Sequence, residues 1–232
     1  MGNSSEIGMH SLEQARAAIL ARLEPMAAES VLLAQSAGRV LAADVAAAVD
    51  LPRFDNSAMD GYAVIAAEAG TGAQLQCVGE VPAGSAFENA LQSGQCLRIF
   101  TGSPLPVGAN AVVMQEDTRV EADRVEITEG VKPFEHIRLR GEDVKEGEPI
   151  GRAGEVMHAG RLQLLGAAGV ARVEVYRRPI VGVLATGNEL REPGEALGEG
   201  GIQESTRLEL AELIREPGAE ARLYPLGNDT LD

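Results

Sequence analysis

PRFDNSAMDGYAV, residues 52–64, is the stretch on which the reading of this chain turns. Asp55 and Asp60 bracket Asn56 and Ser57, and Gly61 follows the second acid directly. Asp, Asn, Ser and Gly stabilise tight turns through local side-chain bonds or positive φ. Tyr62, Val64 and Ile65 then read as the start of a strand. A strand holds Asp60 at its mouth with little positional freedom, which suits metal or phosphate chemistry. Taken alone, the cluster also reads as a capped turn between two elements, so the remainder of the chain has to decide.

Downstream, from 60 to about 135, short apolar runs at Ala73–Val78, Cys96–Phe100, Ala111–Met114 and Arg124–Thr128 are separated by Gly, Pro, Asn and Asp. That rhythm of short strands and turns predicts a compact β domain. Upstream, residues 1–10 read as a loose polar tail. Ser11 and Gln14 form an S-x-x-Q capping box, and Leu12, Ala15, Ile19 and Leu23 recur at helical spacing, so 11–23 is an amphipathic helix. Residues 31–50 read as a short strand, a turn or short helix around Ser36 to Leu41, and an extended segment. Within 137–177, LQLLGAAGVARVEV reads as a helix ending near Gly166 or Gly169, followed by a strand. The expected organisation is a discontinuous mixed α/β domain from 11–50 and 137–177, an inserted β domain at 51–136, and a third domain over 178–232 that starts after Arg177, Arg178 and Pro179. There, Ile180–Ala185 reads as a strand buried on both faces of a parallel sheet. Thr206 and Glu209 suggest a second capping box, T-x-x-E, opening a helix that Pro217 and Gly218 stop, and Ala221–Leu226 reads as the next strand. Two parallel strands and one helix cannot cover both sheet faces, and sheets usually need three or more strands to be stable. The expectation is therefore the N-terminal portion of a longer protein, with a truncated third domain of parallel α/β type.

A chain of 232 residues with a formal net charge of −15 is unsuited to general nucleic-acid or anionic-membrane binding, because long-range repulsion opposes both. No apolar run approaches the ~20 residues that cross a bilayer, and the N-terminus lacks a signal-peptide core. A cytoplasmic location is expected, with Cys77 and Cys96 reduced and Cys96 inside a strand. His10, His136 and His158 are scattered without HxxxH or HExxH spacing, which argues against zinc. GxSxG, P-loop and post-strand GxGxxG patterns are missing from the sequence, so acyl-enzyme, ATPase and dinucleotide readings lack their expected motifs.

Four loops place acids, hydroxyls and glycines directly after apolar runs: Asp55–Gly61; RIFTGSPLP with Thr101 and Gly102; RLRGEDVKEG with Glu142 and Asp143; and VLATGNEL with Thr186, Gly187 and Glu189. The last follows the carboxyl end of the 180–185 strand, where ligands of open α/β sheets bind. A T-G pair offers a hydroxyl beside a residue that lets a ligand approach the backbone. Acids from separate segments invite a divalent cation, and Mg2+ suits one or two carboxylates with waters and phosphate oxygens. Each loop also has the plain reading of a solvated turn. Arg138 and Arg140 read as surface ion pairs rather than phosphate ligands, and EPGEALGE (192–199) reads as a flexible acidic loop.

Together, LAQSAGRVLAADV (33–45), LPRFDNSAMDGYAV (51–64), RIFTGSPLPVGANAVVMQED (98–117), RLRGEDVKEGEPI (138–150) and RRPIVGVLATGNELREPGE (177–195) resemble the MoeA family of molybdopterin molybdenumtransferases, which includes the gephyrin E domain. The resemblance covers most of the chain in order. It implies the last step of molybdenum cofactor assembly, in which molybdate enters the dithiolene of adenylated molybdopterin with Mg2+ assistance and AMP is released. It implies a homodimer with a shared cleft, a pterin substrate, and other cofactor-assembly proteins as further partners. By motif it implies Asp60, Thr101, Asp143 and Glu189 as catalytic, with Asp60, Asp143 and Glu189 around the metal, and Thr186, Gly187, Ser205 and Asp229 against the pterin nucleotide. GGIQESTR (200–207) departs from the family pattern at Gln203, Glu204 and Thr206, Asn110 replaces a usual Asp, and the family's SGG loop is missing from the sequence. The alternative is a non-catalytic dimerisation or scaffold module of the same family.

Overall fold

The computed structural model describes residues 10–82 and 84–229, so the expected tail lies, except for His10, outside the described residues. Helix α1 (Leu12–Leu20) is followed by strands β1 (Ala28–Leu32), β2 (Val45–Ala46), β3 (Asn56–Ser57) and β4 (Gly61–Val64). Strands β5 (Gln74–Val81), β6 (Gln95–Ile99), β7 (Ala111–Met114), β8 (Thr118–Glu121) and β9 (Arg124–Ile127) come next. After β10 (Ile137–Arg138) and β11 (Pro149–Gly151) stand helix α2 (Ala159–Ala167) and β12 (Arg172–Tyr176). The chain continues through β13 (Ile180–Val183), β14 (Leu190–Arg191), β15 (Ile202–Gln203), helix α3 (Thr206–Arg215) and β16 (Glu220–Leu223).

These elements group into two units. One draws on Asp44–Arg152 and Ala159–Ala171, the other on Met1–Ala43, Ala153–His158 and Arg172–Asp232. The first is built on a six-stranded sheet in the order β7-β4-β6-β5-β9-β8, whose strands all fall within 51–136. Its grouping extends past those expected bounds because main-chain bonds tie Ala47 to Glu148 and Ala48 to Ala168, at 2.9 Å each. Side chains alternate along a strand, and here both faces are covered. Tyr62, Val64, Cys96, Ala111, Val113, Val125 and Ile127 fill one core, while Ala63, Leu97, Ile99 and Val112 fill the other. Each fully buried aliphatic side chain stabilises the fold by about 1.5–3 kcal/mol.

Gly61 is required at the mouth of β4 for a reason other than the turn propensity read from sequence. Its φ is not positive. A Cβ there would lie 2.0 Å from the carbonyl oxygen of Val113 on β7, so only glycine lets the two strands pair.

In the second unit β1 and β12 form an antiparallel ladder from Ala28↔Tyr176 to Leu32↔Arg172, beside which Leu41, Met157 and Val175 are buried. Strands β13 and β16 pair in parallel, Ile180↔Glu220 to Val183↔Leu223, joined through α3. The β–α–β reading therefore holds, but burial on both faces of β13 does not. Val183 is buried, whereas Ile180 is 54% and Val181 37% exposed, because two strands and one helix supply cover for one face only. The Ser11–Gln14 capping box on α1 is present in both directions. The helix buries none of its residues, and Leu12, Ile19 and Leu20 face outward.

Candidate functional site

Three of the four loops singled out from sequence meet along one stretch in the six-stranded-sheet unit, wrapped around residues 51–60. From the loop after β6, Gly102 N–H donates to the Ser57 carbonyl (2.8 Å), Ser57 N–H to the Ser103 carbonyl (3.1 Å), and Leu105 N–H to the Asp55 carbonyl (2.9 Å). From the segment after β10, Arg140 N–H donates to the Asp55 carboxylate (2.7 Å). Gly141 and Asp143 N–H donate to the Pro52 and Leu51 carbonyls, at 2.9 Å each. Inside the turn, Ser57 Oγ donates to the Met59 carbonyl and Asn56 Nδ2 to that of Phe54. The capped-turn reading therefore holds, and the turn is tied from two sides by these bonds.

Asp60 projects from that turn, exposed, and Thr101 clamps it. The Thr101 backbone N–H and its Oγ1–H both donate to Asp60 Oδ1, at 2.8 Å. These two bonds, backbone first, hold the Asp60 carboxyl below its usual range, with a further contribution from the charge of Arg98. Arg98 is the residue the sequence reading missed. Its guanidinium carbon lies over the rings of Tyr62 and Phe100, 5.1 and 5.0 Å from their centroids. It also donates to the Gly61 carbonyl at 3.4 Å and to Gln115 Oε1 at 2.5 Å. Gln115 N–H in turn donates to the Asp60 carbonyl (3.1 Å). The signal was available: strand alternation from Cys96 through Arg98 to Phe100 puts a cation and a ring on one face.

Asp143 is placed differently. Its carboxylate pairs with Arg138 Nη2 at 2.5 Å, and Glu142 takes the same guanidinium through Nε. Arg138 lowers the Glu142 carboxyl through that bond, aided by the Leu139 N–H. Arg140 pairs with Asp50. Both arginines are ion-paired, as read from sequence.

The fourth loop lies in the second unit, past the carboxyl ends of β13 and β16. Thr186 bridges Gly227, and Gly187 N–H donates to the Gly227 carbonyl (3.1 Å). Asn188 and Asp229 exchange bonds, Asn188 N–H to the Asp229 carboxylate (3.4 Å) and Asp229 N–H to Asn188 Oδ1 (3.3 Å). Gly187 leaves room for the Glu189 carboxylate, since a Cβ there would stand 2.7 Å from both of its oxygens. Thr186, Gly187, Glu189 and Asp229 are thus gathered at the strand ends.

The loop at 200–207 corrects two readings. Thr206 is the first residue of α3 and forms no capping box, and the N-cap, Ser205, is exposed and makes no side-chain cap. Glu204, one residue earlier, accepts the Arg207 N–H at 2.9 Å and so displaces the expected cap. Glu204 and Arg207 are both buried and paired, and Arg207 also takes both carboxylate oxygens of Glu192, at 2.6 and 2.7 Å. Glu192, expected in a flexible acidic loop, is therefore anchored. The Arg207 bond is the main reason the Glu204 carboxyl lies below its usual range.

Among the described residues no group of three His, Cys, Asp or Glu side chains is gathered so as to hold a metal ion by itself. Asp60 and Asp143 are separately engaged, each through one oxygen, by Thr101 and Arg138. That leaves each carboxylate a second oxygen, which fits an ion that draws the rest of its shell from waters and phosphate. No helix among the described residues is long and apolar enough to cross a membrane.

The pattern of loops on this sheet can be set beside known proteins. Residues 10–169 match the family model described as the MoeA N-terminal region (domain I and II). The chain belongs to the MoeA family. Among curated relatives, the molybdopterin molybdenumtransferase of a Nostoc species is 40% identical over 197 residues, covering 83% of this chain and 45% of that protein. That of Haemophilus influenzae is 38% identical over 210 residues, covering 90% and 52%. The crystal structure of the molybdopterin biosynthesis moeA protein from Pyrococcus horikoshii superposes with a TM-score of 0.82 at 36% identity, over 88% of this chain and 56% of that one. The chain thus spans about half the length of the MoeA relatives it matches.

Proposed function

We propose that this chain is the part of a molybdopterin molybdenumtransferase that carries the Asp60–Thr101 clamp, and that the whole protein inserts molybdate into adenylated molybdopterin with release of AMP. The observation that carries the reading is the clamp itself. Two donors from one threonine fix a carboxylate whose backbone is pinned by Gly61 and Gln115, on the motif that family membership makes meaningful. Such a group is ionised at neutral pH and fixed in direction, which is what a carboxylate needs in order to orient a cation or a bound anion's counter-ion without reorganising.

In this reading Asp60 and Asp143 would each offer Mg2+ one carboxylate oxygen from the six-stranded-sheet unit, and Glu189 is a further acidic ligand expected from the family resemblance alone. Mg2+, when bound, would neutralise phosphate charge at the adenylate linkage. Thr101 keeps Asp60 in one rotamer. Thr186, Gly187 and Asp229 from the strand ends, and Ser205 from the N-cap of α3, face the pterin nucleotide in an α/β molybdopterin-binding domain, and the protein works in the cytoplasm as a homodimer. The buried Glu204–Arg207 pair supports a modified role for the 200–207 loop, because Glu204 is committed to its arginine and cannot contact substrate. The test is molybdate-dependent AMP release from adenylated molybdopterin. Asp60→Ala abolishes turnover in this reading; turnover at the parent rate removes Asp60 from the chemistry.

A further inference from the structure

Neither cysteine has a part in the proposed chemistry, yet their placement is specific. Cys77 on β5 and Cys96 on β6 stand directly opposite each other in a parallel ladder. Both belong to the same core face, with Cys77 packed against the cluster that contains Cys96. Cα atoms of adjacent strands are separated by about 4.8 Å, inside the roughly 4.4–6.8 Å window of disulfides. We propose that Cys77 and Cys96 form a peroxide-oxidisable pair that closes to an intramolecular disulfide across β5 and β6.

The two thiols differ in the way such a pair requires. Cys77 is half-buried and borders an open cavity of about 440 Å³ together with Tyr62, Glu80 and Arg98, so a small oxidant reaches it. Its Sγ–H donates to the Gly79 carbonyl at 3.4 Å, a bond that costs little to exchange. Cys96 is fully buried, and burial, with the neighbouring Cys77 sulfur, pushes its thiol up to about 12. Peroxide therefore attacks Cys77 first, because the thiolate is the nucleophile and needs access. Hydrogen peroxide transfers one oxygen to the Cys77 sulfur, which is oxidised by two electrons to a sulfenic acid while the other oxygen leaves as water. The Cys96 sulfur then attacks the Cys77 sulfur, its proton leaves with the sulfenic hydroxyl as a second water, and the S–S bond forms. Two thiols and one peroxide give one disulfide and two waters.

The chain has only these two cysteines, so the assay is direct. Folded protein is exposed to hydrogen peroxide, the peroxide is removed, and the protein is unfolded in the presence of N-ethylmaleimide and analysed by intact and peptide mass. Closure predicts a monomer lighter by two hydrogens, no blockable thiol, and the peptides bearing Cys77 and Cys96 joined. In Cys96→Ser, Cys77 should run on to sulfinic acid, and in Cys77→Ser, Cys96 should stay a free thiol. Peroxide that oxidises Cys77 fully in Cys96→Ser yet yields sulfinic Cys77 beside free Cys96 in the parent chain overturns the proposal, as do two untouched thiols. The outcome is independent of whether the transferase reading holds.

Discussion

The six-stranded sheet and the β13–α3–β16 segment both contain apolar strand residues and bury them very differently. In the sheet Ala63, Leu97, Ile99 and Val112 on one face and Val64, Cys96 and Val125 on the other are all at 0% exposure. In the parallel pair, Ile180, Leu184, Leu223 and Tyr224 remain substantially exposed around a buried Val183. An unbroken apolar run such as Ile180–Ala185 reports what a strand is suited to bury; what covers it is a separate fact, supplied by further strands. The candidate loops inherit this contrast. Those on the sheet are pinned by main-chain bonds from two directions, whereas the loops after β13 and β16 are tied chiefly to each other.

The sharpest way to break the comparison is to add one methyl group in each region. Gly61→Ala drives a Cβ into the Val113 carbonyl, and backbone cannot yield, so a loss of at least about 3 kcal/mol or outright failure to fold is expected. Gly182→Ala meets Tyr224 Cε2 at 2.9 Å, but that ring is exposed and turns aside, so the urea midpoint should barely move. Core truncation comes next. Leu97→Ala should cost about 2–5 kcal/mol by chemical denaturation, against less than about 1 kcal/mol for Ile180→Ala. Equal losses at the two sites would erase the distinction drawn between the regions.

The smallest effect concerns acid. Asp60, Asp50 and Glu142 all have carboxyls lowered by hydrogen bonds, Asp60 chiefly by the Thr101 N–H and Asp50 chiefly by that of Glu146. A depressed folded-state value stabilises the native form above the ordinary carboxylate value near pH 4, and the contribution is lost as pH falls through the lower folded value. Urea midpoints should therefore decline from about pH 5 downward, and Asp60→Asn should flatten part of that decline. An unchanged pH slope in Asp60→Asn would mean that the clamp contributes nothing to folding.

What could be read from sequence was what is local. The α1 capping box needs only Ser11 and Gln14, and it formed as written. Strands at 74–81, 95–99, 111–114 and 124–127 announced themselves by apolar runs between turn residues. β8 escaped because Thr118–Glu121 alternates polar residues and exists by pairing with β9. The two-residue ladder of β3 with β10 escaped too, since partners some eighty positions apart leave no local trace. At the site, Asp60 and Thr101 were each visible as motif residues, but their contact was not. The Glu204–Arg207–Glu192 network was hidden because an i, i+3 charge pair normally lies on a helix surface, and only tertiary packing buries this one.

The most direct test of the clamp is calorimetric titration of adenylated molybdopterin into the protein with and without Mg2+, comparing the parent with Asp60→Asn, which keeps the shape and removes the charge. The account predicts Mg2+-dependent binding that weakens by roughly tenfold or more in Asp60→Asn, with an unchanged circular dichroism spectrum. Equal affinity in the two proteins, with the same dependence on Mg2+, would contradict it.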